Sequence, residues 1–141
     1  SGEASSAVRE ANAVAWENGI SRIIKKLGAA EIQVVIVQPI PRFPQWLVSG
    51  MSPARLLGPT SWSNATINRD TALSDRSLAV EAQQRAATAT GARTLDLFLD
   101  LCPNVTCSAF EYGNWLYSDG GHVSVVASEL LAPAFMDALA T

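Results

Sequence analysis

Glu31-Ile32-Gln33-Val34-Val35-Ile36-Val37-Gln38 is the stretch that decides the fold. Ile32, Val34, Val35, Ile36 and Val37 are β-branched, and they do not alternate with polar residues. A strand with one wet face would alternate with period two. An unbroken β-branched run is the pattern of a strand covered on both faces, as in a parallel sheet with helices above and below. Pro39 and Pro41 end the run, because proline has no N–H to give to a ladder.

Upstream, Ala7 to Leu27 reads as a long amphipathic helix. Ala11, Val14, Ala15, Ile20, Ile23, Ile24 and Leu27 recur at three-to-four spacing and are expected to face the core, with Gly28 as the C-terminal cap. Downstream, Arg42 to Asp70 is irregular and rich in proline. Trp46, Leu47, Met51, Leu56, Leu57 and Trp62 in this loop either wall an acyl or sugar pocket or cover one face of the core. Thr71 to Thr90 reads as a second helix, with Ser74 and Asp75 as candidate caps. Leu78, Ala82, Arg85, Ala86 and Ala89 share a face, and Gly91 closes the helix. Arg93 to Leu99 is a second short strand. A helix running into a strand thus occurs twice, which predicts an α/β fold, a parallel sheet flanked by helices. Asp100 to Trp115 reads as a cysteine-bearing loop. Ser124 is placed to cap a last helix with Val126, Leu130, Leu131, Phe135 and Leu139 on its apolar side. Pro133 either bends that helix or starts a separate segment.

The chain has 141 residues, 48% hydrophobic and 16% charged, which fits a single folded domain with a proper core. Residues 1–6 are small and polar, like a linker, and lack the positive start and apolar middle of a signal peptide. The net charge is −3 and the densest basic spot is Arg22 with Lys25 and Lys26, too little for a surface that tracks phosphates. Nucleic acid is therefore not an expected partner. No apolar run is long enough to cross a bilayer.

Cys102 and Cys107 are the only cysteines, five residues apart in a Pro/Asn turn. They either close a small disulfide loop or remain free thiols. The disulfide is the expectation, and with it an oxidising compartment. A structural zinc site would need four ligands, and neither further cysteines nor a second histidine exist to supply them. No metal or other cofactor is expected.

The chemistry is expected at Tyr117-Ser118-Asp119-Gly120-Gly121-His122-Val123-Ser124. His122 is the single histidine, and imidazole is the side chain whose ordinary titration lies nearest neutral pH. Asp119, three residues earlier across a Gly-Gly turn, is placed to orient the ring and stabilise its charged form. In a serine-type hydrolase or acyltransferase the histidine takes the proton of a serine hydroxyl and a carboxylate holds the imidazole in the useful tautomer. Asp and His three apart also occur by chance in surface turns, so the context of the pair carries the reading.

That context is a buried strand, a Pro-rich loop, a helix, a strand, the Leu101-Cys102-Pro103…Cys107 loop, then Trp115-Leu116-Tyr117-Ser118-Asp119-Gly120-Gly121-His122-Val123-Ser124 and an apolar final helix. It resembles the C-terminal part of the SGNH hydrolase family, in particular the extracytoplasmic SGNH domain fused to bacterial membrane acyltransferases of the acyltransferase-3 type. Asp119 and His122 fall on that family's Asp-x-x-His, and Ser124 on the serine after it. Val123 replaces the usual leucine. The resemblance implies a flavodoxin-like three-layer fold, incomplete at its N-terminus, with 1–141 as the C-terminal part of one domain. It implies O-acyl transfer or ester hydrolysis on a cell-envelope glycan or glycolipid, outside the cytoplasm, in partnership with the membrane domain of the same parent chain. The family's Gly-Asp-Ser nucleophile motif and its Gly and Gly-x-Asn-Asp oxyanion blocks are absent from these 141 residues. Either they lie upstream, or the domain has become a non-catalytic glycan- or lipid-binding module. Oligomeric state is not legible.

Overall fold

A computed structural model describes residues 5–44 and 65–140. The first helix, α1, spans Ser6–Ala29 and begins at Ser5, whose hydroxyl accepts the Val8 N–H. It runs through the expected cap at Gly28. The chain is turned instead by Ala30 and by Glu31, which adopts a left-handed φ of 58°. Strand β1, Val35–Val37, pairs in parallel with β3, Arg93–Leu95, in the register Val35 to Arg93, Ile36 to Thr94 and Val37 to Leu95. Between them run β2 (Thr66–Asn68) and α2 (Arg69–Thr90). The parallel pair joined by a helix is the unit expected from the sequence.

Side chains alternate across a strand, and partners in register point the same way. Ile36 meets Ile24 of α1 and Ala87 of α2 on one face. Leu95, on the other face, joins a larger core that contains Ala127 and Leu131 of the last helix, α4 (Val125–Ala140). Helices therefore flank a small parallel sheet, as expected. The cover is uneven. Val37 is 41% exposed, so the strand is not sealed on both faces.

Three apolar faces differ from their expected positions. On α1 only Ile24 is buried. Val14 and Ile23 are each 53% exposed, because α1 lies chiefly on α2 and the two-stranded sheet is too narrow to cover the rest. On α2 the buried stripe is Ala72, Arg76, Ala82, Gln83, Ala86 and Ala87, whereas Leu78, Arg85 and Ala89 face solvent. Arg85 is turned outward by its ion pair with Glu17 of α1, at 2.8 Å. On α4 Ala127 and Leu131 are buried while Leu130 and Leu139 are exposed. Pro133 lies inside a continuous α4. The cap of α2 is Asn68, whose side chain accepts the N–H groups of Asp70 and Thr71, in place of Ser74 or Asp75. Gly91 closes α2 with φ 73°, as expected of a residue that takes the left-handed form without strain.

The second strand stops at Leu95. Asp96 Oδ1 accepts the Phe98 N–H at 3.0 Å and starts a single helical turn, α3 (Phe98–Leu101), where continued strand was expected. The expected loop that follows is organised. β4 (Thr106–Ser108) pairs antiparallel with β2, and β5 (Phe110–Glu111) forms a hairpin with β6 (Asn114–Trp115). Tyr112 and Gly113, with φ 53° and 80°, make its two-residue turn, since positive φ at both positions matches the twist of the flanking strands. Cys102 and Cys107 are joined by a disulfide, and both are fully buried in the larger core. The aromatic loop expected around Trp46 and Trp62 lies outside the described residues.

Candidate active site

The Asp119–His122 turn grows out of this core. Leu116 and Tyr117 are buried, and Tyr117 bridges to Val123 across the base of the turn. The Ser118 N–H and hydroxyl both donate to the His122 carbonyl, at 2.8 and 3.1 Å. On the far side, the Ser124 N–H donates to the Leu116 carbonyl and its hydroxyl donates to the Trp115 carbonyl at 2.6 Å. The same hydroxyl accepts the Ala127 N–H at 3.1 Å, so Ser124 caps α4 as expected. The turn is thus held between a closed β-ladder and a capped helix.

Inside it, Asp119 makes the contacts that define the site. Its Oδ1 accepts the N–H groups of Gly121 and His122, each at 2.8 Å. Its Oδ2 lies 2.7 Å from His122 Nδ1, with Oδ1 at 2.9 Å. The Gly121 N–H bond, the imidazole contact and the His122 N–H bond hold the Asp119 carboxyl below the usual carboxylate range, against an opposing desolvation. An ionised carboxylate only accepts hydrogen bonds, so Nδ1 must carry a proton, and in the neutral ring that leaves the lone pair on Nε2. His122's side chain is 82% exposed and that of Asp119 44%. The free edge of the ring is open to an incoming group.

The two residues expected to work together are therefore together. A cleft of about 650 Å³ lies at the opposite end of the parallel strands, among Ile24, Gly28, Ile32, Thr90 and Arg93. A shallower depression of about 450 Å³ sits on α2 between Glu81 and Ala89. Neither includes Asp119 or His122. Among the described residues no cluster of His, Cys, Asp and Glu side chains could hold a metal ion, and no helix is long and apolar enough to cross a membrane.

Sequence reasoning missed two residues at the turn. Ser118 was legible as a polar neighbour, but its double bond to the His122 carbonyl depends on the ladder. Phe43, whose N–H donates to the Gly120 carbonyl at 2.7 Å, comes from a distant segment and gave no local signal.

A search of curated proteins returns no match. A family model described as the SGNH domain fused to AT3 domains matches residues 2–137. With the parallel unit, the flanking helices and the Asp-His turn in place, the chain belongs to the SGNH domain family whose members are fused to AT3 domains, a hydrolase- and acyltransferase-type module.

Proposed function

We propose that this chain supplies the histidine and aspartate of a Ser-His-Asp site for O-acyl transfer or ester hydrolysis on a cell-envelope glycan or glycolipid. The observation that carries the reading is the 2.7 Å contact between Asp119 Oδ2 and His122 Nδ1, with the rest of the ring exposed. The serine comes from a Gly-Asp-Ser segment outside these 141 residues. Its hydroxyl gives its proton to His122 Nε2 as the oxygen attacks the acyl carbonyl. The imidazolium, stabilised by Asp119, returns that proton to the departing alcohol, leaving an acyl-serine. In the second half an acceptor hydroxyl or water loses its proton to Nε2 and takes the acyl group, and the serine recovers its proton. The family's fusion to AT3 domains supports a membrane acyltransferase domain as the partner of this site. The Cys102–Cys107 disulfide supports a place on the oxidising, extracytoplasmic face.

His122→Ala in the AT3-fused parent is expected to lower acyl transfer and esterase turnover by at least about a thousandfold, the scale of losing a triad member. Unchanged turnover would remove the assignment. A second reading, a non-catalytic glycan- or lipid-binding module, draws on the missing Gly-Asp-Ser. A fluorophosphonate probe applied to the parent separates the two, because labelling of a serine there excludes binding alone.

A further inference from the structure

We propose that Phe43 is a positioning residue for His122, acting as a latch between the carboxyl end of the parallel sheet and the tip of the Asp-His turn. The inference rests on the reading of His122 as the base. After β1 the Gln38 N–H makes one more bond, to the Leu95 carbonyl at 2.8 Å. The chain then runs through Pro39, Ile40, Pro41, Arg42 and Phe43. The prolines fix their own φ and stiffen the segment, and Pro41 is fully buried. At its end the Phe43 N–H donates to Gly120 O, and the Phe43 ring meets Tyr117 edge-on with centroids 4.9 Å apart. Phe43 is 1% exposed and Tyr117 fully buried. Arg42 runs alongside, its Nε 3.6 Å from where a Cβ on Gly121 would stand.

The turn has a base and a tip. The base, Tyr117 to Val123, is closed by its own ladder. The Asp119 bonds are internal to the turn and would survive if it swung as a unit. Among the described residues, the Phe43–Gly120 bond ties the tip to another part of the chain. Without it the Asp-His pair stays formed, but its direction relative to the sheet's carboxyl end is free to vary. Ligands of open α/β sheets bind at that end, and a misplacement of about 1 Å is enough to cost about a hundredfold in rate.

The test compares Phe43→Leu with Phe98→Leu in the AT3-fused parent. Phe98 is 2% exposed and belongs to the same core, where its ring lies against the Arg76 guanidinium. Both substitutions are expected to lower Tm. Phe43→Leu keeps the backbone N–H but removes the ring packed on Tyr117 that seats it. It is expected to lower kcat about ten- to hundredfold with KM within about twofold, with Phe98→Leu leaving kcat within about twofold. Equal losses in the two variants would overturn the latch. Amide hydrogen exchange on the unaltered chain gives a second, variant-free measurement. The Phe43 N–H is expected to be protected together with the Ser118 and Ser124 amides, and exchange at the rate of an open loop overturns the proposal whether or not Phe43→Leu folds. If His122→Ala leaves turnover intact while the Phe43 amide is protected, the general-base reading has failed and the latch stands as architecture alone.

Discussion

The α1–α2 side of the sheet and the side that carries the Asp-His turn are built by different means. On the first, two long helices lie against each other and bury little: the cluster there is Ile24, Ile36 and Ala87, with Ile20, Val34 and Ala92 at its margin. Val8, Val14, Trp16 and Ile23 of α1 remain exposed. On the second, short elements of two to four residues are bound by a disulfide, three antiparallel pairings and a continuous core from Phe43 to Leu131. Regular secondary structure and rigidity thus part company in this molecule. The turn that carries the Asp119–His122 pair sits in the irregular, densely tied part.

The contrast can be broken by core deletions, where the effect is largest. Leu101→Ala, in the tied half, is expected to cost about 2–5 kcal/mol of unfolding free energy, while Val14→Ala on α1 stays within about 0.5 kcal/mol. Urea denaturation of the two variants measures the difference, and equal costs would erase the distinction. Next in size is the disulfide. Reducing Cys102–Cys107 releases a loop too short to restrain much of the unfolded chain, so about 2 kcal/mol is expected. The same denaturation series with and without reductant reads it.

Acid sharpens the comparison through Asp96, which joins the two halves at the end of β3. Burial alone would raise its carboxyl, but the hydrogen bonds from Arg76 and the Phe98 N–H and the Arg76 charge outweigh it, and the group sits below the usual range. Arg76 is bound to both Asp96 oxygens, at 2.9 and 2.7 Å, and to Gln38 Oε1 at 3.0 Å. A carboxyl lowered in the folded state binds fewer protons than in the unfolded chain. Its contribution is therefore full above the ordinary value of about 3.9 and fades as pH falls through the lowered one. Asp96 is half exposed, so the contribution is modest, about 1 kcal/mol. Asp96→Asn is expected to lose it at neutral pH and to flatten the stability profile below about pH 4. The smallest effect is at Tyr117. Its buried hydroxyl has no hydrogen-bond partner among the described residues, and burial pushes its pKa up. Tyr117→Phe removes that unpaired group and keeps the ring on Phe43, so stability is expected to hold or rise by about 1 kcal/mol.

Much of the helical half was legible in the sequence because its signals are local. The β-branched run at Val34 to Val37, the left-handed Gly91 and the Ser124 cap each express a preference that neighbours cannot easily override. Which face of each helix is buried was not legible. Ala82 and Ala86 suit either of two adjacent stripes, and the choice falls to packing between α1 and α2 and to the Glu17–Arg85 pair. The strands β4 to β6 were missed because Thr106, Ser108, Glu111 and Asn114 carry turn-like chemistry, and their pairing comes from tertiary partners such as Ile67 opposite Cys107. At the site, Asp119 and His122 were legible as a pair because the bond between them closes within one turn. Phe43 was not, because its contact spans more than seventy residues and leaves no periodic mark.

The central claim is that Asp119 fixes the proton of His122 on Nδ1 and leaves Nε2 free as a base. Long-range ¹H–¹⁵N correlation of the imidazole tests it directly, since the single histidine gives a single ring to assign. The expected result, above the pH at which the ring becomes neutral, is a protonated Nδ1 and an unprotonated Nε2, with that preference lost in Asp119→Ala. A ring protonated on Nε2, or one averaging between tautomers alike in both proteins, would contradict it.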